Sequence, residues 1–412
     1  MLVAEARFVS VDIDDSGVST IRRCLFSFHD SNWVPKVTLT QDLDGYLLLE
    51  DGRLWRGRLA GARTAGTGEL VFTTNLAGYQ EVLTDPSFAG QIVVMTAPMM
   101  GNYGVTPVDA QAKKPWVAGF VVRELSRLSS GWRATGGLDS YLTEHGISVL
   151  VGADTRAITR HVRERGAMRS MIAPATLTVE EANERLAAQP RMEGLDLATV
   201  VTTSEPYVAG AHGEEKGLVV CLDLGVKLRS LELIAAEGYR VQVLPAGTGP
   251  TEILANRPAG VFISNGPGDP AAVPHAADTI RAVSDAGVPV FGICLGCQLV
   301  ARAFGGRTFK LPYGHRGGNH PVRNLETGAV EITSQNHGFA IAETEGVAEG
   351  ASELVVTHRN LNDGTVEGLS HVSRPVFAVQ YHPEAAPGPH DSRYLFQRFV
   401  DSMGATSSVA TG

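Results

Sequence analysis

The sequence predicts an α/β protein whose C-terminal part is a doubly wound, mostly parallel sheet, preceded by a mixed α/β N-terminal domain. Three observations carry this. From Lys216 onward, fully apolar strands alternate with amphipathic helices, the pattern of a parallel sheet covered on both faces. Before Val201, shorter alternating runs and turn pairs mark hairpins and two helices. Between them lies a polar stretch, Thr202–Glu215, with Pro206, Gly210 and Gly213, which reads as a linker.

The elements follow in order. Residues 1–44 show no sustained helical or strand periodicity and read as a flexible extension, or as the product of an upstream start codon wrongly chosen. The N-terminal domain, 45–201, opens with the apolar run at Tyr46, an Asp51-Gly52 turn and a second alternating run. Strands are expected at Glu69–Thr74 and Gln91–Thr96, and helices before Gly146 and over Thr155–Glu164. The second domain, 216–403, alternates strands at Leu218–Leu222, Arg240–Leu244, Gly260–Ser264 and Val288–Ile293 with helices at Leu228–Glu237, Thr251–Asn256, Ala272–Ala286 and Cys294–Phe304. Val376–Tyr381 is a further apolar strand. The tail Gly404–Gly412 reads as frayed.

Length and composition bound the function. The 412 residues suffice for two or three domains with sizeable cores. Hydrophobic residues at 43% and charged residues at 19% exclude wholesale disorder. A formal charge of −9 argues against a nucleic-acid or membrane-surface binder, and no apolar run of eighteen residues is present. The acidic start lacks the pattern of a signal peptide. Four scattered cysteines do not make a disulfide framework and fit a reducing cytoplasm.

Gly292-Ile293-Cys294-Leu295-Gly296 has the form G-x-C-x-G where an apolar strand turns into a helix. Such an elbow lifts a sulfur out of the sheet and aims a helix N-terminus at it, which favours thiolate. A buried core cysteine is the plainer alternative. A third reading takes Cys294 and Cys297 as a C-x-x-C dithiol. Zinc would need two further ligands, and no second C-x-x-C exists.

A nucleophilic thiol needs an imidazole to manage its proton and a carboxylate to orient the imidazole. His382 and Glu384 follow the Val376–Tyr381 strand, two residues apart, so both can face one way. Both would then sit at the strand end where the elbow sits. The glycine-rich loop Ser264–Asp269 follows the third strand and can bring N–H groups near Gly266 beside that of Leu295, as an oxyanion hole requires.

Together G-I-C-L-G, S-N-G-P-G-D and H-P-E resemble the class I (triad) glutamine amidotransferases over about Lys216–Met403. The resemblance implies hydrolysis of the glutamine side-chain amide through a cysteine thioester, with Cys294 as nucleophile, His382 as base then acid, and Glu384 as the orienting carboxylate. Glu69–Glu81, Leu83–Ser87, Gly101–Gly104, Asp154–Arg156, Gly314–Val322 and His382–Pro389 resemble the carbamoyl phosphate synthetase small chain, over about Gly45–Met403. That resemblance places glutamine against Ser87, Gly266, Gly268, Leu295, Gln298, Asn336, Gly338 and Phe339. It implies a ligase subunit without cofactor or metal of its own. Its partner would be a carbamoyl phosphate synthetase large chain holding ATP, magnesium and bicarbonate, in a heterodimer or larger assembly serving pyrimidine or arginine biosynthesis. Alternatives are an inert partner subunit and a C-x-x-C redox protein.

Three positions depart from the family pattern. Cys297 stands where histidine is usual, Arg229 where asparagine is, and Met168–Ser170 covers a customary glycine. None is a triad member. A reversible Cys294–Cys297 disulfide is one consequence the C-x-x-C spacing would allow, and a neutral substitution is the other.

Overall fold

A computed structural model of the chain describes residues 8–13, 19–24 and 43–409, in two compact units divided after Asp42. In the first, Phe8–Ile13 pairs antiparallel with Ser19–Cys24. This corrects the reading of the stretch as free of strand pattern: Val9, Val11 and Ile13 alternate with Ser10 and Asp12, over a run too short to register as sustained. The readings of 1–44 as flexible or as a misplaced start otherwise bear on residues outside those described.

In the second unit, seven strands close into a barrel: Ser148–Val151, Leu54–Gly61, Gly45–Leu49, Met168–Pro174, Gly66–Thr73, Gln91–Met95 and Gly119–Val122, in that spatial order. Alternation decides the two surfaces of this barrel. Leu47, Leu49, Leu70, Ile92, Val94 and Leu150 form one cluster. Their neighbours Val71, Val93, Met95 and Val149 pack instead with Tyr79, Leu83, Leu138 and Leu142 of two helices.

The large sheet runs, along its main path, Tyr207–Ala209, Tyr239–Pro245, Gly217–Asp223, Gly260–Ile263, Val290–Ile293, Val376–Val379, Val366–His371, Ala351–Asn360, Thr308–Asn324 and Val330–Ile341. The strands from Tyr239 through Val379 in this order are parallel. They carry the expected continuous apolar runs because both faces are covered. Val220, Leu222, Val261 and Ile263 face the helices Pro274–Asp285 and Leu295–Ala303. Val219, Cys221, Phe262 and Phe291 face Leu231 and Ile234 on one helix, and Leu395, Phe396 and Phe399 on the last.

Three expectations change. The linker holds an edge strand, Tyr207–Ala209, paired antiparallel with Val241–Val243. Three residues are too few to show a period. The final helix runs Tyr394–Val409, so the tail does not fray at Gly404; residues 410–412 lie outside those described. No proline stops the helix there. Last, the sheet continues past Val379 as antiparallel strands drawn from Thr308–His371, a region in which the sequence marks no strands.

Candidate active site

Cys294 caps the Leu295–Ala303 helix at φ 55° and ψ −106°, a positive-φ backbone that a non-glycine residue adopts only at a cost. The flanking glycines permit it. A Cβ on Gly296 would stand 2.3 Å from the Ile263 carbonyl oxygen, and one on Gly292 2.8 Å from the Gly296 backbone. The turn leaves the sulfur at the carboxyl end of Val290–Ile293, beside a helix N-terminus whose first N–H groups have no acceptor in their own helix.

Parallel pairing brings the distant imidazole to the same end. Ile293 pairs with Val379 on the neighbouring strand, and Cys294 N–H donates to the Val379 carbonyl at 2.9 Å. His382 follows three residues later. Its Nδ1 lies 2.6 Å from Glu384 Oε1, and all three side chains are buried. Burial works against a charged ring, but Glu384 and Cys294 outweigh it and raise His382 to about 10. Nε2 has no hydrogen-bond partner, and the Cys294 thiol instead donates to the Asn336 carbonyl at 3.5 Å. The sulfur is thus near enough to the ring to help hold its proton.

A lysine to which the sequence pattern assigns no part completes the line. Lys227 Nζ is 3.2 Å from Glu384 Oε1, with both side chains sealed from solvent, and it also donates to the Ala385 carbonyl. Burial alone would raise the Glu384 carboxyl; Lys227 and His382 hold it down at about 2. The available signal is the Gly225-x-Lys227 pattern, which stands out in the sequence only for its departure at Arg229.

Beside the sulfur opens a cleft lined by Ser87, Gly266, Gly268, Cys294, Gln298, Asn336, Gly338 and Phe339, together with Glu69, Gln91, Met192, Pro267, Arg316 and His337. Seven of the eight residues expected around a ligand therefore converge there. Leu295 does not line it: its side chain joins the core beneath, leaving its backbone N–H at the elbow. Gly266 presses so close to the elbow that a Cβ would stand 2.0 Å from the Leu224 carbonyl oxygen and 2.9 Å from the Leu295 side chain.

The barrel closes one wall. Asp85 accepts from Ser87 N–H and from the Asn336 amide at 2.9 Å each, and Asn265 donates to Ser87 Oγ at 2.9 Å. Asp85, like Lys227, is absent from the sequence-based set. Its Asp-Pro-Ser context is an N-cap signal, and the contact to Asn336 spans 251 positions.

Behind the cleft, His315, His337 and Glu367 bring potential ligand atoms within 4.8 Å of one another. Most of these atoms are already engaged. Glu367 accepts from Asn360 and Gln335, and the nitrogens of His337 face the Phe339 carbonyl and Gln335 Oε1. Burial opposes charge on His315, yet Asp363 and Glu367 raise it to about 9; burial and the His315 charge push His337 well down. The cluster braces the Asn336–Phe339 stretch of the Val330–Ile341 strand.

Residues 47–172 match the family described as carbamoyl-phosphate synthase small chain, CPSase domain, and residues 220–402 match glutamine amidotransferase class-I. Curated proteins named carbamoyl phosphate synthase small chain align over nearly their whole length. The one from Chlorobaculum tepidum is 50% identical over 88% of this chain and 98% of its own. The Streptomyces coelicolor protein is 49% identical over 87% and 95%, and that of Syntrophotalea carbinolica 47% over 87% and 97%.

The chain belongs to the carbamoyl phosphate synthase small-chain family.

It carries that family's glutamine amidotransferase domain, so the departures noted from the sequence can be placed within it. Cys297 is fully buried in the core opposite the one that holds Cys294, and burial drives its thiol well up. That is the setting of an inert cysteine and tells against a disulfide with Cys294. Arg229 pairs with Glu232 at 2.8 Å on the surface. Arg169 is held by Glu50 at 2.8 Å and by the carbonyls of Ala187 and Gln189, and Ser170 Oγ donates to Gly68. These substitutions are accommodated locally. Among the described residues no helix is long and apolar enough to cross a membrane.

Proposed function

We propose that this chain hydrolyses glutamine at Cys294 and passes the ammonia to a large-chain partner. The observation that carries the reading is the meeting of Cys294 and His382 at the ends of paired parallel strands, with Glu384 on the ring's far nitrogen. With the thiol proton on His382 Nε2, the sulfur attacks the side-chain amide carbon, forming the C–S bond. The oxyanion takes the N–H groups of Leu295 and Gly266. The C–N bond then breaks as His382 returns the proton to the leaving nitrogen, which departs as ammonia. Water, deprotonated by the same imidazole, attacks the thioester to release glutamate and the thiol. Glu384 keeps Nδ1–H in place throughout, and Lys227 keeps Glu384 charged.

Ser87, Gly266, Gly268, Gln298, Asn336, Gly338 and Phe339 hold the substrate, and Leu295 contributes its backbone. ATP, magnesium and bicarbonate belong to the partner. On the far side of Glu384 a broad groove, with exposed Leu76 and Val108 on its rim, offers that partner a face. The resting thiol also donates to the Asn336 carbonyl, so its proton is shared away from the imidazole, which favours slow turnover until a partner docks.

The test is glutamate release by wild type and Cys294→Ser, with and without a large chain. Release that needs Cys294 and rises with the partner is expected. No release in either condition, with the partner still bound, would leave an inert scaffold.

A further inference from the structure

The cleft beside Cys294 is all but shut. It leaves the centre of a water molecule about 20 Å³ to move in, room for roughly one water. Of the residues that line it, only Gly268 and Gly338 are not buried. A glutamine is many times larger than one water, so part of the wall must move before the thiol is reached. Next to the cleft lies a second cavity, about 180 Å³ by the same measure, whose lining includes the exposed Pro190, Arg191 and Glu193. Two side chains, Glu69 and Met192, line both spaces and form the partition between them.

One half of this partition is fixed. Glu69 sits on the barrel strand Gly66–Thr73, and Lys310 Nζ grips its Oε1 at 2.6 Å. The other half is free only as a side chain. Met192 lies in the irregular segment 189–197, whose backbone is fastened on both flanks. Before it, Arg169 donates to the Gln189 carbonyl at 2.8 Å, and Arg191 pairs with Glu50 at 3.2 Å. Beyond it, the Asp269 carboxylate accepts from Gly194 N–H at 2.9 Å, and Asp269 N–H donates to the Leu195 carbonyl at 3.0 Å. Between these ties the Met192 methyl lies 3.8 Å from where a Cβ on Gly90 would stand, and Gly90 lines the second cavity. An unbranched thioether is the side chain that changes shape at least cost.

We propose that the Met192 side chain is the gate to Cys294: swung aside, it joins the second cavity to the cleft and admits glutamine by that route. Met192 then decides which molecules reach the sulfur, by their breadth. The inference rests on the glutaminase reading above and adds an entrance to it. The second cavity carries both signs of charge, Arg169 and Arg191 beside Glu50 and Glu193, as suits the passage of a zwitterion.

The experiment reads access without turnover. Iodoacetamide is added to the full chain, and alkylation of each cysteine is followed by peptide mass spectrometry. A gate open for roughly 0.1–10% of the time slows entry tenfold or more. Met192→Ala should therefore speed alkylation of Cys294 roughly 10-fold. Met192→Phe, broader and stiffer, should slow it and lower kcat/KM for glutamine. Cys221 and Cys297, both buried, are the controls and should stay unmodified throughout. If Met192→Ala exposes them, its core has loosened and Met192→Phe decides alone. Cys294 rates that neither substitution moves overturn the proposal and put the entrance at Gly268 and Gly338. A wild type that releases no glutamate, while residue 192 still governs labelling of Cys294, defeats the glutaminase reading and leaves the gate standing.

Discussion

Lys227 Nζ lies 3.2 Å from Glu384 Oε1, and neither side chain reaches solvent. This buried cation keeps a carboxylate charged two residues from the imidazole it orients, and it joins the loop after the first parallel strand to the loop after the last.

Removing it should uncouple charge from packing. Lys227→Met retains the side chain's bulk but leaves Glu384 with His382 alone. Loss of one partner of a buried pair costs roughly 3 kcal/mol, to be read by chemical denaturation. The acid limb of the glutaminase pH profile should also move up, because the Glu384 carboxyl is no longer held as low. Unchanged stability and an unmoved limb would make the contact incidental.

Stability should fall on both sides of a weakly acidic plateau. The His382 contribution is fully present below its ordinary 6.5 and is lost as pH rises through about 10. That of Glu384 is present above its ordinary 4.5 and is lost as pH falls through about 2. His382→Asn should flatten the alkaline loss and also shrink the acid loss, because His382 helps hold Glu384 low. Parallel alkaline limbs in denaturation midpoints of the two proteins would contradict this.

Asp85→Asn should act on substrate affinity through its neighbour. Replacing the carboxylate weakens the bond that holds the Asn336 amide, so KM for glutamine should rise roughly 5- to 30-fold with a smaller change in kcat. A fall in kcat at constant KM would place the role of Asp85 elsewhere.

Cys297→Ala should be as sensitive to peroxide as wild type and recover equally with dithiothreitol, since Cys297 faces the core opposite Cys294. Protection or slower recovery in one protein alone would revive a disulfide between them.

Much of the fold is legible in the sequence because its signals are local. Val219–Leu222, buried on both faces, is continuous apolar sequence, and the cysteine elbow needs only its own glycines. His382 and Glu384 can be read because they end a recognisable strand. The antiparallel half is not legible. Its strands carry buried polar residues such as Gln335, His337 and Glu367, and register shifts interrupt the pairing of Thr308–Asn324 with Val330–Ile341, so no clean period survives. Lys227, Asp85 and Glu69 escape notice for another reason: each acquires meaning only from a partner more than 150 positions away.

Asn336 has one hand on each half of the molecule. Its amide is pinned to Asp85 of the N-terminal domain, and its carbonyl accepts from the thiol. One residue thus anchors the acceptor of the resting thiol to the N-terminal domain, so freeing the Asn336 amide also loosens the place where the sulfur rests.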